Sequence, residues 1–277
     1  MELPEPVRAL LGASIEPLTG YGASRVYRGN GLVAKVGPGA AAERHVLTRL
    51  APLPIETPES VADGEGWIVM AEVADTADRI WPLPELVELL DDLAALHDSH
   101  QAHPALTGPL AVSLVEYFER LAGYGDATGL PERLRAALAA PQHLIALLEA
   151  EPVTLVHGDP YPRNILRPAA GRRVWIDWED SLAGPAALDV AAWAMEGPWG
   201  SGSSIYGPAA LDHYLARRRA PVERRRFSLA VDAASILLTP SQNLTELADS
   251  RGSGAVAAFV ADRLAALDRL ADNGFSR

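Results

Sequence analysis

The apolar pattern of this 277-residue chain changes period once, and that change limits the folds open to it. Up to Ala71 the runs are short and rich in β-branched or aromatic residues: Ile15–Thr19, Arg25–Arg28, Leu32–Val36 and Trp67–Met70. Such runs predict strands. Gly29-Asn30-Gly31 separates the second from the third, and an Asn-Gly pair there predicts a tight hairpin. Asp63-Gly64-Glu65-Gly66 reads as a turn before the fourth run. Among these strands Ala40–Leu50 has helical composition. After Val73 the spacing becomes helical, over Leu86–His97, Leu114–Leu121 and Glu132–Leu148, and again from Pro208 onward. Breaks fall near Pro221, Pro240 and Gly252–Gly254, and Ala255–Leu270 is amphipathic. Two short β-type runs, Val153–Val156 and Val174–Ile176, interrupt the helices. The order predicts an α+β chain: a small β-rich N-terminal lobe over 1–72 and a larger, mostly α-helical lobe over 73–277. The boundary falls near Ala71–Ala74. A cleft between two such lobes is a common place for a ligand.

Several chemistries are excluded or disfavoured. The chain has no cysteine, which removes disulfides, thiolate nucleophiles and Cys-ligated zinc together. The opening MELPEPVRALLGAS lacks a basic stretch followed by a long apolar run, so no signal peptide is expected there. Leu229–Leu238 is too short to span a bilayer and carries Asp232. A cytoplasmic protein, monomer or homodimer, is expected. The formal charge of −12 disfavours nucleic acid and anionic lipid as partners. It suits a cationic small molecule, though an acidic surface also serves solubility alone.

The densest chemical signal is His157-Gly158-Asp159-Pro160-Tyr161-Pro162-Arg163-Asn164, between two β-type runs. Thirteen residues beyond Asn164 comes Asp177, in Ile176-Asp177-Trp178-Glu179. Asp and Asn five apart on a loop, beside a strand ending in a second Asp, bring three oxygen-bearing side chains together. Phosphoryl transfer needs such a set: one carboxylate for the proton of the attacking hydroxyl, an amide oxygen and another carboxylate for Mg²⁺.

These residues resemble the aminoglycoside phosphotransferase and choline kinase superfamily. The resemblance runs from the glycine turn near residue 20 through Gly184-Pro185-Ala186-Ala187-Leu188-Asp189-Val190-Ala191, about residues 15–195. The family usually has Gly-Asp-Pro before the later Asp, and this chain lacks that first Asp. The resemblance implies a bilobal kinase-like fold, ATP and Mg²⁺ as cofactors, Asp159 as catalytic base, and Asn164 and Asp177 as Mg²⁺ ligands. His157 would hold the loop by hydrogen bonds, and Asp189 would support its shape. Gly20 and Gly22, in Gly20-Tyr21-Gly22-Ala23-Ser24, would let backbone N–H groups approach phosphates, with Ser24 adding a hydroxyl. Lys35 would pair with the phosphates and with Glu43 on the following helix. Lys35 is also the one lysine among 24 basic residues, and arginine does not replace a compact ammonium in a tight site. Met70–Val73 would be the hinge, with Met70 and Glu72 near the adenine.

Three features separate the chain from protein kinases: Trp178 follows Asp177 where glycine is usual, no Ala-Pro-Glu segment occurs, and Tyr161 rather than lysine stands two residues after Asp159. A kinase of small metabolites or drugs is therefore expected. An aminoglycoside-like acceptor, with a role in antibiotic resistance, is the first expectation. Choline, ethanolamine, thiamine, homoserine, a sugar or a macrolide are alternatives, and a non-catalytic nucleotide-binding regulatory module is the alternative of another class. Glu179, Asp180, Glu196, Glu246 and Asp249 are candidates for binding amino groups. Trp178, Trp193 and Trp199 suit either quaternary ammonium or ordinary core packing.

Overall fold

The computed structural model describes residues 3–18, 24–75, 83–123, 125, 129–168, 173–195 and 208–275. The chain forms two compact units. One comprises Met1–Arg79, Pro104–Ala111 and His157–Leu182, and the other Ile80–His103, Val112–Val156 and Ala183–Arg277.

The first unit holds α1 (Glu5–Leu11), β1 (Glu16–Leu18), β2 (Arg25–Gly29), β3 (Leu32–Val36), α2 (Ala40–His45), β4 (Ser60–Gly64) and β5 (Trp67–Ala71). Its strands make one antiparallel sheet in the order β1-β2-β3-β5-β4. The predicted hairpin closes with Asn30 at φ 52° and Gly31 at φ 69°, and Gly29 faces Leu32. Two left-handed residues in a two-residue turn match the twist of the flanking strands. The β4–β5 hairpin turns at Glu65-Gly66, so Asp63 and Gly64 belong to a strand that the sequence reading assigns to the turn. β4 is an edge strand of small and acidic residues, which carry little strand signal. α1 is also absent from the sequence reading. It spans two turns, and it buries Val7 and Leu11 against Ala34, Val36 and Val69. Strand alternation then turns Lys35 to the face opposite Ala34 and Val36. α2 runs on as a π-helical turn over Val46–Leu50, completing the predicted helix.

The segment His157–Leu182 belongs to this unit because it is stitched to it. Trp175 N–H donates to Glu56 O at 2.8 Å, and Ile165–Leu166 pairs antiparallel with Val174–Trp175. Trp175 and Trp178 are both fully buried, which is the core-packing outcome for Trp178.

The second unit contains α3 (Leu83–Ser99), α4 (Leu114–Ala122), α5 (Glu132–Ala139), α6 (Gln142–Glu149), β6 (Val153–Val156), α7 (Ala187–Met195), α8 (Pro208–Arg217), α9 (Arg224–Leu237), α10 (Leu244–Arg251) and α11 (Ser253–Asp272). The helix predicted over Glu132–Leu148 is two helices, because Pro141 lacks an N–H and interrupts the ladder. α9 is the central helix, with Phe227, Ala230, Ala233, Ala234 and Ile236 buried. Among the described residues no helix is long and apolar enough to cross a membrane.

A buried polar chain crosses this helical core. His97 Nε2–H donates to Asp189 Oδ2 at 3.1 Å, and Tyr214 O–H donates to His97 Nδ1 at 2.7 Å. Arg218 Nη1 donates to the Tyr214 oxygen at 2.8 Å and Arg218 Nε to Asp98 Oδ1 at 2.7 Å. Burial keeps the His97 pKa below its ordinary value in spite of the Asp189 carboxylate.

Candidate active site

The site is built inside the first unit from β3, α2 and the loop 157–182. Lys35 leaves β3 almost fully buried and meets two carboxylates. Its Nζ lies 2.8 Å from Glu43 Oε2 and also contacts Asp177 Oδ1. Glu43 is fully buried on α2, and its Oε1 accepts the Trp178 N–H at 3.4 Å. Burial alone would lower the Lys35 pKa, but Glu43 and Asp177 outweigh it and raise the ammonium above its ordinary value. Asp177 shows the converse. Burial would raise its carboxyl, and Lys35 holds it below the usual range. Asp177 has φ 67° and ψ 59°, a left-handed conformation uncommon for a non-glycine residue and enriched in Asp and Asn. Its side chain is 36% exposed, so the carboxylate remains reachable by a ligand.

The loop is shaped from within. Gly158 has φ +88°, and a side-chain carbon there would lie 2.2 Å from Asp180 O. Only glycine meets both conditions. The Asp159 N–H donates to His157 Nδ1 at 3.3 Å, which puts the imidazole proton on Nε2, bonded to Ile176 O at 3.1 Å. Ser181 Oγ donates to His157 O at 3.2 Å. His157 is fully buried, with its ring 4.3 Å from that of Trp178. It holds the loop, as the sequence implied.

Asn164 ends a short turn, Pro162–Asn164, and is buried. Its Nδ2 donates to Asp159 Oδ2 at 2.7 Å and to Asp159 O at 2.9 Å. The amide nitrogen is thus spent on Asp159, and the amide oxygen is the atom left to act as a ligand. Asp159 itself is 22% exposed. With Asp177 the donor set is hard oxygen, one carboxylate and one amide. That suits Mg²⁺, which takes one or two protein carboxylates and fills its shell with phosphate and water.

The other predicted residues are not all gathered at this centre. Ser24 is buried, and its Oγ has no hydrogen bond of good geometry among the described residues. A side-chain carbon on Gly39 would come within 2.7 Å of Ser24 Oγ and 2.6 Å of Glu179 Oε2, which puts all three together. Glu179, an acceptor candidate from sequence, is thus a buried neighbour of Ser24. Burial raises its carboxyl above the ordinary value, against the pull of Lys35. Met70 is buried on β5, opposite Val33 and Ser60. Glu72 is exposed, its N–H donates to Gly31 O at 2.9 Å, and its carboxylate meets Arg28 at 3.4 Å. Gly20, Gly22, Glu196 and Trp199 lie outside the described residues. Trp193 is buried in the second unit. The sequence reading gave no role to Arg163, whose Nη2 touches Asp159 Oδ1 at 3.2 Å. Its place inside the loop motif was the available signal.

A buried lysine between two carboxylates, beside an Asp–Asn clasp, is the arrangement of a phosphoryl-transfer enzyme with a kinase-like fold. The model of the phosphotransferase enzyme family matches residues 14–229, and the chain belongs to that family of small-molecule kinases. Solved structures agree on the fold. The AMP complex of LicA, a choline kinase from Streptococcus pneumoniae, is 17% identical, with 97% of this chain and 96% of that chain covered and a TM-score of 0.61. An aminoglycoside phosphotransferase from Streptomyces rimosus is 21% identical, with 83% and 93% covered and a TM-score of 0.56. A microcompartment-associated aminopropanol kinase is 16% identical, with 95% and 94% covered and a TM-score of 0.63. No curated protein matches the chain.

Proposed function

We propose that the chain transfers the γ-phosphoryl group of ATP to a hydroxyl of a small molecule, with Asp159 as the base. The observation that carries this is the pairing of Lys35 with both Glu43 and Asp177, next to Asp159 clasped by Asn164. Asp159 orients the acceptor hydroxyl and takes its proton as the new O–P bond forms and the bond to the departing ADP oxygen breaks. Asn164, through its amide oxygen, and Asp177 would hold Mg²⁺, which would supply neutralisation of phosphate charge. Lys35, fixed by Glu43, pairs with the α- and β-phosphates. Gly20, Gly22 and Ser24 line the phosphates. Met70 and Glu72 flank the adenine, and any contact from the Glu72 backbone uses its carbonyl, since its N–H is committed to Gly31.

In this reading residues 1–72 form the nucleotide-binding lobe and 73–277 the catalytic and acceptor-binding lobe. The acceptor is aminoglycoside-like, which suits the net charge of −12 and would make the enzyme a resistance factor. Choline, thiamine, homoserine, a sugar or a macrolide use the same machinery. The enzyme works in the cytoplasm as a monomer or homodimer. The test is ADP release from Mg-ATP across a panel of these acceptors. Turnover with one of them names the substrate class. Tight Mg-ATP binding with no turnover on any acceptor favours a regulatory module.

A further inference from the structure

The proposed mechanism leaves the transferring phosphoryl group without a protein cation of its own. Lys35 is held by Glu43 and Asp177 and is assigned to the α- and β-phosphates. Negative charge in phosphoryl transfer spreads over the three equatorial oxygens of the moving group, and a positioned guanidinium there is worth orders of magnitude in rate. Arg163 touches the Asp159 carboxylate, where the acceptor hydroxyl and that group must meet. Both contacts, 3.2 Å to Oδ1 and 3.3 Å to Oδ2, come from the single nitrogen Nη2. This contact is one donor shared between two oxygens, not the two-pronged fork of a strong Arg–carboxylate pair. The guanidinium carbon lies 4.5 Å from the centre of the Tyr161 ring, and Tyr161 is buried. The ring supports the cation without consuming an N–H. The Arg163 side chain is 54% exposed, far more open than Lys35, and its charge also acts on Asp177.

We propose that Arg163 is a catalytic residue: it rests on Asp159 in the free enzyme and moves onto the γ-phosphoryl oxygens when Mg-ATP binds. The move releases the Asp159 carboxylate to accept the acceptor hydroxyl. The inference rests on the kinase reading above.

The test compares Mg-ATP with Mg-ADP binding by calorimetry for the full-length protein, Arg163→Met and Arg163→Lys, with ADP release measured beside it. Wild type binds Mg-ATP more tightly than Mg-ADP. Arg163→Met loses that preference, keeps its affinity for Mg-ADP, and slows transfer by about 10²-fold. Arg163→Lys restores part of both. The same ATP preference in Arg163→Met as in wild type overturns the role of Arg163 while leaving the kinase reading intact. Failure of wild type to bind either nucleotide overturns both.

Discussion

Both units bury charge, but they finish the job differently. In the helical unit, His97, Asp189, Tyr214, Arg218 and Asp98 form one chain of hydrogen bonds, and the His97 and Asp189 side chains have no exposure. The first unit sets Lys35 against Glu43 and Asp177, with Glu179 close by, and leaves Asp177 part exposed. Ser24 there is buried without a hydrogen bond of good geometry. Burial of charge therefore does not separate a site from a scaffold. What separates them is an unfinished arrangement, with carboxylates in excess over the cation and a buried hydroxyl that makes no hydrogen bond of good geometry. A closed network favours a single packing, and an open one leaves room for a charged ligand.

The largest expected contrast follows from that difference. Asp177→Asn should lower phosphoryl transfer by about 10³-fold, near 4 kcal/mol of barrier, because the carboxylate proposed to hold Mg²⁺ is lost. Its melting temperature should move little, since Lys35 keeps Glu43. Asp189→Ala should invert the pattern. It removes the acceptor of His97 inside a closed network, and denaturant titration should show a loss of about 3 kcal/mol. An Asp189→Ala protein as stable as wild type would erase the contrast.

Lys35→Arg sharpens it. The space between Glu43 and Asp177 holds a compact ammonium, and a planar fork does not fit there. Transfer should fall by about 10²-fold in a protein that stays folded by circular dichroism, a change read from steady-state kinetics. The smallest effect is on pH. His97 is held neutral by burial, so its folded pKa lies below the unfolded value of about 6.5. The unfolded chain then binds a proton that the folded chain refuses. Stability from this group is present above that value and is lost as pH falls below it, by at most about 1.4 kcal/mol per pH unit. The slope between pH 6.5 and 5 in wild type should flatten in His97→Gln, as measured by urea titration at each pH.

The sequence made the local devices legible. Asn30-Gly31 forces its hairpin through backbone conformation alone, and β3 places Lys35 by strand alternation. The spacing of Asp159 and Asn164 survives into the clasp because a few turn residues between His157 and Asp180 build it. What depends on distant partners was not legible. α1 is short, and its reason to exist is the apolar face of β3 and β5 that receives Val7 and Leu11. β4 has a weak pattern of its own and is defined by pairing with β5. Glu179 reads from sequence as a candidate for binding amino groups, but it is buried beside Gly39 and Ser24. Arg163 read as one arginine of 23, and its meaning lies in its contact with Asp159 and Tyr161.

The central claim is that Asp159 is the base of a Mg-ATP-dependent transfer, and a single-turnover comparison of wild type with Asp159→Asn tests it most directly. With the acceptor found in the panel, the variant should bind Mg-ATP with unchanged affinity and transfer phosphate at least about 10²-fold more slowly. Transfer at the wild-type rate in Asp159→Asn would contradict the assignment.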